Sequence, residues 1–265
     1  MNQEELQKRL IGVLDRQVIC DSLNALASAM KPEASTSSLE DTAIGLDASV
    51  FLRLAGHSKH IDIVDYLVSR HTAPLILPGQ AIQEFWNNQL QVVDTVAASL
   101  RKHFEAFKTA LGKVAKDFGS YVEQIDILLE QFSSEHGHIY DEGTVRTTLF
   151  LLEALTKRAS VVYAPRAPFQ EIGALRKRTR TPPGFRDDGD GDFFIWVDLL
   201  TGLLEAQAGG SQYQRVALVS LDKKVDWSRA GIAHPILVAE VRTLLNVPFE
   251  IWTIDRLAAE IARAA

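Results

Sequence analysis

Four carboxylates stand where acidic side chains commonly do chemistry. Asp47 closes the apolar run Ile44–Leu46 in IGLDASVFL, and Glu84 falls on the first turns of the helical pattern after Leu75–Leu77 in LILPGQAIQEFW. Asp192 precedes the apolar run FFIWVDLL, and Asp222 ends VALVSL in VSLDKKVDW. Read singly, each also fits a helix cap or a solvated helix position. Gathered at one end of a sheet, they would repel and raise one another's pKa values, and a divalent cation removes that conflict. An oxygen-only donor set with room for water suits Mg²⁺ or Mn²⁺. The chain holds no rival motif: no GxxxxGK, no HExxH, no GxSxG, and no GxGxxG followed by an acid at the right distance. The residue types point to metal-dependent phosphoryl chemistry.

The elements that must position these residues follow from hydrophobic patterning. Short apolar runs at Ile44–Leu46, Leu75–Leu77, Val161–Tyr163, Val216–Leu221 and Phe249–Ile254 alternate with longer helical patterns. This predicts an α/β fold with a mostly parallel central sheet of about five strands. In such sheets ligands bind beyond the carboxyl ends of the strands, where the acids stand. Residues 1–31 read as one helix through Leu6, Leu10, Val13, Leu14 and Val18, followed by a polar linker, so 1–40 is expected as an appendage to a domain at 41–265. Within that domain a helical insertion is expected at about 86–158. There, Leu90, Val93, Ala97, Leu100, Phe104, Phe107, Leu111, Val114 and Phe118 step by three and four, and Tyr121, Ile125, Leu128 and Phe132 continue the phase. Such a coiled-coil seam packs on itself, on the domain or on a second copy, or serves as a basic arm that grips substrate. A homodimer through this arm or through the N-terminal helix is one expected assembly.

Composition bounds the rest. With 28 Lys+Arg against 34 Asp+Glu the net charge is −6, which by itself argues against a nucleic-acid partner. The distribution argues the other way: Arg166, Arg176, Lys177, Arg178, Arg180 and Arg186 stand against Glu171 alone just before the acidic block, and Lys223 and Lys224 follow Asp222. Phe185 and Trp227 are candidates to stack on a base. Ser49 and Ser220 lie two residues from Asp47 and Asp222, placed either to orient a phosphate or to make a local hydrogen bond. A single cysteine, Cys20, excludes an intramolecular disulfide and a Cys-based metal site. No apolar run approaches the roughly 20 residues that span a bilayer. The first residues lack the layout of a signal peptide, so a cytoplasmic protein with no membrane partner is expected.

Several of these stretches together resemble the PIN-domain ribonuclease superfamily, and more narrowly its bacterial PIN-like branch with a long helical insertion. LDASVFLRLAGHSKHIDIVDYL is similar to that branch's opening strand and helix, and LILPGQAIQEFWNN to its second acidic segment. RTPPGFRDDGDGDFFIWVDLL resembles its PPG block with the third acid, and VALVSLDKKVDW its fourth. HPILVAEVRTLLNVPFEIWTIDRLA resembles its last helix and strand. The chain departs from the branch in placing DDGDG before the third acid, Gln89 where Arg is usual, and Ser220-Leu221 where Thr and an acid are common. The resemblance implies a three-layer PIN-like fold and an endoribonuclease with single-stranded RNA as its expected partner and one or two Mg²⁺ or Mn²⁺ ions. Asp47, Glu84, Asp192 and Asp222 would hold the metal, with Asp187 and Asp226 as lesser candidates. Ser49, Arg178, Arg180, Arg186, Ser220, Lys223, Lys224 and Trp227 would meet the substrate. The expected products carry a 5′-phosphate and a 3′-hydroxyl. The alternatives are a structure-specific or single-strand DNA nuclease in a defence or toxin–antitoxin setting, and a non-catalytic PIN-like scaffold.

Overall fold

The strands form because runs of consecutive apolar residues can be buried on both faces only in a sheet covered by helices on each side. In the computed structural model, β1 (Thr42–Leu46), β2 (Leu75–Pro78) and β4 (Arg215–Val219) are buried along their whole length. With β3 (Ser160–Val162) and β7 (Phe249–Trp252) they make a five-stranded sheet in the order β3-β2-β1-β4-β7, every neighbouring pair parallel. The structure describes residues 2–30, 38–87, 103, 106–110, 121, 124–125, 127–128, 142–221 and 224–264. These fall into two compact units, 1–85 with 151–265, and 86–150.

In the first unit, helices cover both faces of the sheet. On one side lie α3 (Ala48–Leu54), α4 (His60–Asp65) with a π-helical turn at Tyr66–Arg70, and the C-terminal α10 (Ile254–Ala264), which packs on α4. On the other lie α8 (Gly191–Ala208), against β2 and β3, and α9 (Pro235–Leu245). The result is a three-layer α/β fold. Helix α8 lies close on the sheet because residue 202 is glycine: a Cβ there would come within 2.8 Å of Ile76 Cγ2. A two-residue hairpin that the sequence pattern did not reveal, β5 (Ser228–Arg229) with β6 (Ile232–Ala233), turns through Ala230 and Gly231, both at positive φ.

The N-terminal segment differs from the single helix expected. It forms α1 (Gln3–Leu14), started by a reciprocal Asn2–Glu5 capping box, and α2 (Ser22–Met30), with Arg16 between them in the left-handed region. Leu6, Leu10, Val13 and Leu14 are buried in the common core, with α1 on α8 and α9 and α2 on α9, so the segment is part of the body.

In the second unit the described residues are helical, among them Phe107, Tyr121, Ile125 and Leu128 of the predicted seam. Ile125 is buried and the other three are exposed. The remaining seam residues lie outside the described ones. Helix α6 (Glu142–Thr156) leads into the first unit, whose core takes in Leu151 and Leu155. The insertion therefore ends earlier than the 158 expected. Among the described residues no helix is long and apolar enough to cross a membrane.

One buried group reports on folding. His71, in the loop that enters β2, is 3% exposed and neither ring nitrogen has a hydrogen-bond partner. Arg158 clamps the same loop through the carbonyls of His71, Thr72 and Ala73. Burial, reinforced by the Arg158 charge, pushes His71 down from 6.5 to about 4. The unfolded chain takes up this proton first as pH falls, so stability present above about pH 6.5 is lost between there and pH 4, on the order of 3 kcal/mol. Urea denaturation at pH 7.5 and 4.5 should show the wild type losing about 2–3 kcal/mol more than His71→Phe; equal losses would remove His71 as the cause.

Candidate metal centre

The strand order reverses between β1 and β4, and in open parallel sheets a crevice forms at that point beyond the strand ends. Asp47 is the first residue after β1, and its backbone N–H continues the ladder to the Val219 carbonyl of β4 at 3.0 Å. Its carboxylate is 8% exposed and fully engaged. Oδ1 accepts from the Ala48 N–H at 2.7 Å, which makes Asp47 a helix cap as well, and Oδ2 accepts from both Ser49 Oγ and Ser220 Oγ at 2.7 Å. Ser49 Oγ in turn accepts from the Leu221 N–H at 3.0 Å. The two serines therefore orient the carboxylate and lock the end of β1 to the end of β4. Of their two predicted roles, the structure places both in the local hydrogen bond.

Glu84 stands on the helix that begins at residue 79, directly after β2. Its Oε1 accepts from Gln80 Nε2 at 3.1 Å. It reaches the start of α8 closely enough that a Cβ on residue 191 would displace Oε1, so glycine before Asp192 leaves room for the carboxylate. Burial raises the Glu84 pKa against the Gln80 hydrogen bond, and the charges of Asp47 and Asp187 raise it further. Asp192, on the first turn of α8, is pushed up to about 7 by burial and by a hydrogen bond shared with Asp187. Its Oδ2 accepts from Lys224 Nζ at 3.1 Å and Trp227 Nε1 at 2.9 Å. Asp187 Oδ2 lies 2.6 Å from the same Nζ. Although burial opposes it, the hydrogen bonds to Lys224 and Asp192 hold Asp187 below the usual carboxylate range. The structure thus gathers Asp47, Glu84, Asp187, Asp192 and Lys224; Asp222 and Lys223 lie outside the described residues.

Other candidates have different surroundings. Trp227 is 2% exposed, packs edge-on against Trp196 at 6.1 Å and spends its N–H on Asp192, so it cannot stack on a base. Asp226 is fully buried, and its Oδ2 holds the Gly184 N–H at 3.0 Å, stapling its turn to the PPG segment. Its Oδ1 has no hydrogen-bond partner. The basic stretch divides in two. Arg176 is buried in a pair with Glu240, which also accepts from Trp196 Nε1, and Arg166 is paired inside the protein. Lys177 caps the acidic loop through the Asp188 and Gly189 carbonyls. Arg178, Arg180 and Arg186 remain exposed.

Patterning missed the network that holds Glu84. Asp198, on α8, is 0% exposed. Its Oδ1 accepts from the Ala164 N–H at 2.9 Å and Arg166 Nη1 at 2.6 Å; its Oδ2 accepts from the Gln80 N–H at 2.9 Å and Arg166 Nη2 at 3.0 Å. Arg166 Nη2 lies 3.4 Å from Gln80 Oε1, and the Gln80 amide passes the orientation to Glu84. The only sequence signal was an acid inside the apolar run FFIWVDLL.

Among the described residues, no three His, Cys, Asp or Glu side chains form a group that could hold a metal ion as they stand. The donor chemistry nevertheless fits a hard divalent cation. All the converging atoms are carboxylate oxygens, a cationic Nζ already stands between two of them, and Mg²⁺ commonly takes one or two carboxylates and completes its shell with water and phosphate. No family model matches the chain, and no curated protein or solved structure does either.

Two measurements follow. Asp198→Ala leaves Arg166 and two N–H groups without their acceptor, and urea denaturation should show a loss of about 3–5 kcal/mol; a loss under about 1 kcal/mol would mean that Asp198 is not the clamp described. Because a cation must displace the proton that Asp192 carries below about pH 7, calorimetric Mn²⁺ affinity should fall about fivefold from pH 7 to 6. A flat profile would count against Asp192 as a ligand.

Proposed function

We propose that this chain is a metal-dependent nuclease that hydrolyses RNA phosphodiester bonds. The observation that carries the reading is the meeting of Asp47, Glu84 and Asp192, from three separate elements, beyond the carboxyl ends of β1 and β2, with the pKa values of Glu84 and Asp192 raised, chiefly by burial. Perturbed carboxylates gathered in a crevice are a mark of function rather than of packing. The resemblance of the motifs that contain them to PIN-type ribonucleases supports the same reading and adds Asp222 as a fourth ligand.

In this reading Asp47, Glu84, Asp192 and Asp222 hold Mg²⁺ or Mn²⁺. The bound cation supplies water of lowered pKa and neutralises charge developing on the phosphate. The chain's own residues do the rest. Ser49 and Ser220 hold Asp47 Oδ2, so the carboxylate enters the site in one rotamer. Gln80, backed by Arg166 and Asp198, holds Glu84 Oε1. Trp227 fixes Asp192 Oδ2. Exposed Arg178, Arg180 and Arg186 offer charge to an approaching phosphate backbone.

The test is Mn²⁺-dependent cleavage of single-stranded RNA by wild type and Asp47→Asn. The variant should lose at least about 100-fold in rate, with 5′-phosphate products from the wild type; equal rates would overturn the reading. Parallel digestion of single-stranded and flap DNA distinguishes the DNA nuclease from the ribonuclease.

A further inference from the structure

The acidic pair at the start of α8 already contains a cation that belongs to the chain. Lys224 Nζ bridges Asp187 Oδ2 at 2.6 Å and Asp192 Oδ2 at 3.1 Å. Asp192 Oδ2 carries a second donor, the Trp227 indole N–H at 2.9 Å. One oxygen that a metal ion would use is therefore committed to two N–H donors before any ion arrives.

The two donors differ in their freedom to leave. Trp227 is 2% exposed, packed against Trp196 and fixed at the foot of the β5–β6 hairpin. The Lys224 side chain is 36% exposed and that of Asp192 12%. A lysine head on a flexible stem at the edge of a site can return to water at little cost, whereas a packed indole cannot. An ammonium and a divalent cation on the same oxygen would lie within a few ångströms of each other and repel strongly at low local dielectric. One must leave, and the geometry leaves that to the lysine.

We propose that Lys224 is a built-in competitor of the divalent cation at Asp192, neutralising the Asp187–Asp192 pair until the ion displaces it, so that this displacement sets the affinity of the site for metal. The inference rests on the reading of this cluster as a metal centre and adds its regulation. Lys224 keeps the acids compensated without an ion, so the fold does not depend on one. Occupancy follows the free Mg²⁺ concentration, because each binding event must first release the lysine.

The experiment is Mg²⁺ titration calorimetry on wild type, Lys224→Met, Lys224→Gln and Lys223→Met, with the Trp227 indole N–H followed by NMR and identified through Trp227→Phe. Lys223→Met removes the same charge one residue away and controls for bulk electrostatics. Both Lys224 variants should bind Mg²⁺ about tenfold more tightly than wild type, the gain expected if the ion-competent arrangement is populated about a tenth of the time. Lys223→Met should change affinity less than about twofold. Saturating Mg²⁺ should shift the wild-type Trp227 resonance as Asp192 changes partner. Wild-type affinity in both Lys224 variants, an equal gain in Lys223→Met, or a Trp227 resonance that ignores bound Mg²⁺ would overturn the proposal while leaving the metal centre standing. Absence of Mg²⁺ binding in all four proteins would remove the metal centre, and the proposal with it.

Discussion

Asp198 is buried without any solvent contact, so each of its lone pairs has to be met from inside the protein. Four donors meet them: the N–H of Gln80 just past β2, the N–H of Ala164 just past β3, and both Nη atoms of Arg166. The aspartate itself comes from the middle of α8. One side chain therefore fixes the relative position of two strand ends and the helix that carries Asp192. The Arg166 guanidinium is steadied from above by Phe194, 4.5 Å from its ring centre, and passes its remaining contact to Gln80. Burial makes this arrangement nearly all-or-none, because a partly satisfied buried network costs more than an apolar one.

The same logic in milder form governs the crevice. Acids gathered beyond the strand ends cannot all ionise freely, and each is compensated by a different device. Asp47 takes two hydroxyls and a helix N–H, Glu84 takes an amide, and Asp192 takes an indole and an ammonium that it shares with Asp187. Neutral donors orient Asp47 and Glu84 without bringing a charge of their own. The one cation among these devices sits on the most heavily perturbed member, Asp192. Burial raises Asp192 and Glu84 against these donors, with Asp187 raising Asp192 further, while Asp187, with the shorter contact to Lys224, is lowered.

How much of this was legible in the sequence depended on whether the signal was local. The five strands were legible because burial on both faces demands unbroken apolar runs, and the acids because Asp47 and Asp222 directly follow such runs and Glu84 and Asp192 fall at the start of helical patterns. The Asp198 network was not: Gln80 and Asp198 are 118 residues apart and Arg166 and Asp198 are 32 apart, and no periodicity links them. Trp227 was misread as a stacking platform because an aromatic after two lysines looks like a nucleic-acid surface, whereas the hairpin that follows folds it inward. Arg176 was counted in the basic approach to the site because its partner Glu240 lies on another helix, 64 residues on. The break in the N-terminal helix rests on a single left-handed residue, Arg16, which no apolar spacing announces.

This sorting changes what the charge count means. Between residues 166 and 186 the chain shows six cations, but Arg166 and Arg176 serve the core and Lys177 the acidic loop. Within this stretch Arg178, Arg180 and Arg186 are the cations left exposed to a phosphate backbone. Counterion release from about three contacts gives only a shallow salt dependence for a single strand, with a slope near −2. On the nuclease reading, little of the grip can come from these three arginines, and a large share falls to the contact between phosphate and the cation at the carboxylates. Substrate and metal are then bound as one unit, and the overall charge of −6 is no obstacle. On that reading, four of the acids behind it would hold the ion that receives the phosphate.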